Sequence, residues 1–449
     1  MSTPEGFGAG NPFEGGPLGD LMKNLARFFT GQGPLNWEIA RQMAQWAASG
    51  GAPESNPDPL SRVRLEELMR VAEMHVSEAT GLQVTTAGVL TVSAVTRTEW
   101  ALRTLDDWKP LLERLAARMT PSGPNQGGWP PWFGGSPGPA GGQSGNEGPG
   151  GGFAGDRPGG GPGGGPGSGF AGDSPGGGPG GGFGGDPMAQ LFANLPQVLG
   201  PFLFGLQSGS MVGQLATRAM GQYDLPMPRP PRAELLIVPD AIDRFAADWS
   251  LAPDDVRMWI CLRETTNHGV FGRPHVRSRL DDLIGSYVAA FSPSSQSIEE
   301  RMADIDLNDM AGLQAAFGDP ATLLEEMQND EQRRIQVPLR ALLATIVGYV
   351  DHVMDTVGRR LISSYGPLTE ALRRHRLEES DGSKVLGQLF GVTLDAAGYE
   401  QGQAFVKGVL ERAGEEGLSR LWRSERELPT PAELQAPGLW LARLEFDDD

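Results

Sequence analysis

The chain has 449 residues, with 56 Asp and Glu against 37 Lys and Arg and a formal net charge of −19. That balance leaves no basic footprint for a phosphate backbone, so nucleic acid is not an expected partner. A single cysteine, Cys261, excludes an intrachain disulfide framework and any cysteine-based zinc finger, and fits a reducing cytoplasm.

In chain order, residues 1–19 carry no charged region followed by an apolar one, so no secretory signal is expected and the segment reads as disordered. Residues 20–49 read as two amphipathic helices around a Gly-Pro turn, the second capped by Asn36. Residues 60–79 and 98–119 each carry one helical apolar face, which makes 20–120 a wholly α block. From 121 to 187 the composition turns to Gly, Pro and Ser, with a degenerate repeat at Phe153, Phe170 and Phe183. Such a stretch cannot bury enough apolar area to offset the entropy of ordering its glycines, and is expected to be a disordered insert. Its Gly-x-Gly matches follow no strand and are not phosphate loops.

Residues 188–440 form the second expected block. It opens with two helices whose Gly205, Gly209 and Gly213 permit close packing. Interrupted by Pro201, Gly205, Gln207, Ser208 and Gly209, this stretch is too polar for a membrane span. A short apolar run, Leu235 to Val238, precedes a helix started near Pro239-Asp240. A turn over Ser250 to Asp255 then supplies the acidic first turn of another helix. Further helices are expected near 297–330, 332–358, 367–376, 383–390 and 395–414, and 441–449 reads as an acidic tail. The fold class is mainly α, a helical domain interrupted by the insert, with the first block packed on the second.

The stretch "CLRETTNHGVF" places Glu264 on a helix flanked by Trp259, Ile260, Leu262, Val270 and Phe271. In His-Glu-x-x-His, two imidazoles at i and i+4 share a helix face and one zinc ion, and the glutamate reaches the metal-bound water. Here Arg263 and Asn267 stand in the two histidine places. No nucleophile elbow, Rossmann fingerprint or Walker loop sits between a strand and a helix, and Cys261 has no activating surroundings.

Several long phrases, "GPLNWEIARQMA", "LQSGSMVGQLATRAMGQYDLPMPR", "IVPDAIDRFAADWSLAPDDVRMWICLRETTNH", "VGYVDHVMDTVG" and "LSRLWRSERELPTPAEL", resemble the bacterial zincin-like hydrolases described as zinc-dependent metalloproteases. The resemblance implies a zincin-like helical domain. It assigns Arg263 to the first ligand position, Glu264 to the catalytic acid/base, Asn267 to the second ligand position and Val347 to the distal ligand. A guanidinium has no acceptor, an amide oxygen is a weak zinc ligand and Val347 offers nothing. The inherited site is therefore expected to hold no zinc, with Arg263 supplying positive charge in its place and pairing with Glu264 or Asp351.

A register shifted by one residue offers another set. Glu264 and His268 share a face at i and i+4, and "GYVDHVMD" adds Tyr349, Asp351 and His352, enough for a zinc site serving an active metallohydrolase. The ordinary readings stay open beside these. Glu264 can be the salt-bridge partner of Arg263 or Arg257, His352 a core histidine, and Tyr349 a packing residue. His75 and His375 carry no chemistry. "GRPHVRSRL" reads as a turn and a solvated basic helix face. The expected function is a zincin-like protein with a degenerate site and a binding or scaffold role. Its expected partner is a protein or peptide; the alternative is the active enzyme built on Glu264, His268 and His352.

Overall fold

The computed structural model describes residues 34–84, 90–119, 187–291, 328–377 and 381–448; at 119, 187–200, 376, 377, 381, 447 and 448 it describes the backbone alone. The expected disordered N-terminus, the first helix of 20–49, the glycine-rich stretch 121–186 and most of the helix near 297–330 lie outside these residues. Two compact units emerge, one of residues 1–134 and 194–449 and one of 135–193. Of the second unit, only the backbone of 187–193 is described, as helix. The remainder concerns the first.

Helix α1 spans Trp37–Ser49 and α2 Pro59–Thr80. Strand β1, Thr91–Ala94, precedes α3, Arg97–Asp107, and α4, Lys109–Met119. Helix α5 runs Pro187–Ala216, and β2 covers Glu234–Ile237. Then follow α6 (Pro239–Asp248), α7 (Pro253–Phe271) and α8 (Pro274–Ala289). Helix α9, Asp330–Val353, continues through a π-helical turn, Met354–Gly358. The chain closes with α10 (Tyr365–Leu377), α11 (Asp381–Phe390), α12 (Ala396–Ser419), α13 (Pro431–Gln435) and α14 (Pro437–Asp448).

Local chemistry sets the helix ends. Asn36 Oδ1 accepts from Ile39 N at 3.2 Å, and Gly50 closes α1 in the left-handed region at φ 63°. Asn329 and Gln332 form a reciprocal capping box on α9. Pro253, Asp254 and Asp255 give α7 a rigid, acidic first turn. From Met258 to Phe271 nearly every side chain of α7 is buried, so it is a central helix covered on all sides rather than an amphipathic surface one. It packs against α2, α6 and α9.

The two blocks on either side of the glycine-rich stretch share one core. Strand β1 pairs in parallel with β2, Val92 opposite Leu235. Arg229 is buried between Trp100 and Trp108, its guanidinium carbon 5.3 and 5.5 Å from their ring centroids, and pairs with buried Asp107 at 3.1 Å. Helix α5 lies against α1 through its glycines. A Cβ on Gly209 would stand 2.1 Å from the Ala40 carbonyl oxygen, and one on Gly205 2.4 Å from that of Asn36. Because these obstacles are backbone, Gly209→Ala is expected to cost about 1–3 kcal/mol through forced separation of the helices. A urea midpoint equal to that of the parent would contradict the close approach.

Some expectations need correction. Residues 20–120 are not wholly α, because β1 finds its partner some 140 positions away. The single helix over 98–119 is two, divided at Trp108. The two helices expected after 188 are one, α5, continuous through Pro196 and Pro201. The acidic tail is helical as far as Asp448, anchored by buried Trp440 and Leu444. Helix α12 extends past 414 to Ser419 through a kink at Gly414, φ 63°. Among the described residues one segment, Asp330–Leu361, has the length and apolarity to cross a membrane, yet 67% of its apolar window is buried within the protein.

Candidate functional site

Glu264 sits in the middle of α7 and is fully buried. Its carboxylate meets the loop that joins α5 to β2. Tyr223 N donates to Glu264 Oε2 at 2.8 Å, and the approach requires a glycine at 221, where a Cβ would lie 2.4 Å from the carboxyl carbon. Asp224 organises the same loop: its Oδ2 accepts from Met220 N at 2.6 Å and Gly221 N at 3.0 Å.

The Arg263 guanidinium bridges loop and helix. Its Nη1 donates to Asp224 Oδ1 at 2.7 Å and Glu264 Oε1 at 3.3 Å, while Nη2 donates to the Tyr223 carbonyl at 3.2 Å. The Trp259 ring lies beneath it, 5.7 Å away, a cation-π contact one helical turn earlier. Burial works against the charge, but Asp224 and Glu264 together raise the Arg263 pKa, so the cation is held. The expected pairing of Arg263 with Glu264 is thus present, with Asp224 as the nearer partner. Arg257, the other partner considered, pairs with Asp243 and Asp254 instead.

Burial pushes the Glu264 carboxyl up to about 7, opposed by Arg263 and reinforced by Asp224. Burial also raises the Cys261 thiol, which leaves it unreactive. His268 Nδ1 lies 3.1 Å from the Tyr223 hydroxyl, and the Tyr223 ring stacks on Phe271 with centroids 5.0 Å apart.

A cavity of about 170 Å³ opens in front of α7. Arg263 and Asn267 line it from α7, Val347 and Asp351 from α9, and Tyr223 and Asp224 from the loop. All three positions assigned to metal ligands by resemblance therefore face one space. Asp351 accepts from Gln403 Nε2 at 3.0 Å, and Asn267 Nδ2 donates to the Arg263 carbonyl at 2.9 Å. Glu264 lies behind Arg263 rather than in the cavity wall.

The shifted set is not assembled. His268 is 8% exposed and engaged with Tyr223, and His352 is turned away to Glu415, 2.9 Å from its Nε2; neither lines the cavity. Among the described residues no three His, Cys, Asp or Glu side chains are placed to hold a metal ion. Tyr349 is corrected as well: it is buried against Trp422, edge to face at 5.0 Å, outside the cavity wall. His375 gains a place, since it lines the cavity and accepts Arg218 Nη2 at its carbonyl, 2.9 Å away. Tyr223, Asp224 and Gly221 were missed. The phrase "MGQYDLPMPR" was visible, but nothing in its spacing ties it to a helix some 40 residues later.

A zinc ion does not fit the donor set present. The guanidinium at 263 is a permanent cation without a lone pair, Val347 has no donor and Asn267 alone cannot hold the ion.

His268 carries a pH prediction. Burial lowers its pKa from 6.5 to about 4, so the folded state refuses a proton that the unfolded chain accepts. Stability from this group is complete above pH 6.5 and is lost as pH falls through about 4. The total is on the order of 3 kcal/mol. Glu264 acts in the opposite sense: its raised pKa adds stability as pH falls from about 7 toward 4.5. In His268→Gln, urea unfolding between pH 7 and 4 is expected to lose the acid-sensitive component and keep the Glu264 gain. A pH profile parallel to that of the parent would refute a buried neutral imidazole.

A buried helix bearing a glutamate thus faces a second helix across a cleft that both line. The chain belongs to the zincin-like metallopeptidase family, which matches residues 35–441. It is also similar to a crystal structure from Chloroflexus aurantiacus described as a "putative hydrolase with a novel fold", at 21% identity and a TM-score of 0.56. That likeness covers 92% of this chain and 99% of the other, and is one of fold. No curated protein matches the chain.

Proposed function

We propose that this zincin-like family member carries a degenerate metal site and works as a binding protein, its cleft receiving a protein segment or peptide without metal-assisted hydrolysis. The observation that carries this reading is Arg263, held 2.7 Å from Asp224 and 3.3 Å from Glu264, in the wall of the cavity that Asn267 and Val347 also line. A fixed guanidinium there supplies the positive charge that a zinc ion would supply in relatives with His-Glu-x-x-His, but it cannot activate water by coordination. Glu264, hydrogen-bonded to Tyr223 N and paired with Arg263, serves the integrity of the cleft.

The test is metal analysis of protein purified without a histidine tag, together with a quenched fluorescent peptide library. Zinc or iron well below one per chain, with peptides retained uncleaved whether or not zinc is added, is the expected result. A stoichiometric metal lost in His268→Ala, or zinc-dependent cleavage abolished by Glu264→Gln, would overturn the proposal.

A further inference from the structure

A second cavity of about 380 Å³ lies away from the cleft, between α8, α9 and the segment leading into α13. Its floor is apolar, made by buried Leu283 of α8, Leu342 of α9 and Pro429. Its rim is basic, with Arg279, Arg426 and Arg443 opposed by Glu425 alone. Arg443 is already satisfied, bound to Glu433 through Nε at 2.6 Å and Nη2 at 3.1 Å. Arg279 and Arg426 are exposed and form no ion pair among the described residues. Both guanidinium groups are therefore available at the mouth of an apolar hollow.

Arginine presents a planar fork of donors that matches a carboxylate or phosphate. Arg279 and Arg426 set against Glu425 leave one net positive charge at the rim, which suits a singly charged head group. The volume lies within the range of small-molecule sites. "GRPHVRSRL", read from sequence as a solvated basic face, supplies Arg279 to this rim.

We propose that this cavity binds a monoanionic amphiphile, an apolar chain ending in a carboxylate. The carboxylate lies between Arg279 and Arg426, and the chain covers Leu283, Leu342 and Pro429. The site is separate from the cleft at Arg263 and stands or falls independently of it.

Isothermal titration of the full chain with octanoate, octanol, octylammonium and acetate tests this. Octanoate is expected to bind saturably at one per chain, at least tenfold more tightly than any of the others. The double variant Arg279→Gln/Arg426→Gln is expected to lose at least tenfold in octanoate affinity at an unchanged melting temperature, because both side chains are exposed. Glu425→Gln should tighten it. Octanol binding as well as octanoate removes the role of charge, and acetate binding as well removes that of the floor; either result overturns the proposal. So does octanoate that fails to bind, or that binds the double variant unchanged.

Discussion

The triple variant Arg263→His/Asn267→His/Val347→Glu is expected to take up one zinc ion per chain where the parent takes none. All three positions line one cavity, two from α7 and one from α9, and the packed contact between these helices fixes their facing surfaces. Removing the guanidinium leaves Asp224 and Glu264 without their cation, and the new glutamate adds a further carboxylate to a cleft that Asp351 also lines. The metal-free variant should therefore be less stable than the parent and should regain stability with zinc. Free zinc at a thousandfold excess over Kd contributes about 4 kcal/mol. The measurements are metal analysis after dialysis and the melting temperature with and without zinc. A variant that folds but retains no more zinc than the parent would show that the three positions do not converge, and the kinship of this cleft with a metal site would fall.

Asp224→Ala is the second large effect. The side chains of Arg263 and Asp224 are 14% and 19% exposed, so the pair is shielded from water on most sides. Breaking it leaves the guanidinium with Glu264, the more distant carboxylate, as its one ion-pair partner among the described residues, and removes the acceptor of two backbone amides, Met220 and Gly221. A loss of about 3 kcal/mol in chemical unfolding is expected, at the lower end for a broken buried pair because of the residual exposure. In Asp224→Ala/Arg263→Met the loss should be smaller than the sum of the single losses, since no buried cation is left without its nearer partner. Glu264 then takes up a proton, which its surroundings already favour. Strict additivity would mean that the two residues do not act as a unit.

What could be read ahead of the structure followed local physics. Asn36 as a cap, the acidic first turn of α7 and the spans of α2 and α10 depend on residues within a turn or two of each other, and the sequence carries that information directly. The candidate site was legible only along its helices. Arg263, Asn267 and Asp351, singled out from the family phrases and their helical spacing, all line the cavity. The errors arose where distant segments meet. β1 acquires strand geometry only by pairing with β2, and Asp224 becomes the partner of Arg263 only once the loop folds over α7. His268 shares a helix face with Glu264 but is claimed by Tyr223, from the same loop. Tyr349 sits two positions from two cavity-lining residues, Val347 and Asp351, yet turns to Trp422, a neighbour that no periodicity announces.

The parallel pairing of β1 with β2 and the Arg229–Asp107 ion pair have a consequence for how this polypeptide can be cut. Neither contact is made within one block, so each half presents an unfinished surface to the other. Two separately expressed pieces, one ending after α4 and one beginning before α5, would each expose a strand edge and a tryptophan-lined socket or its arginine plug. Mixed together, they have what is needed to recombine into one particle without a covalent link, which makes the protein a candidate two-part complementation reporter.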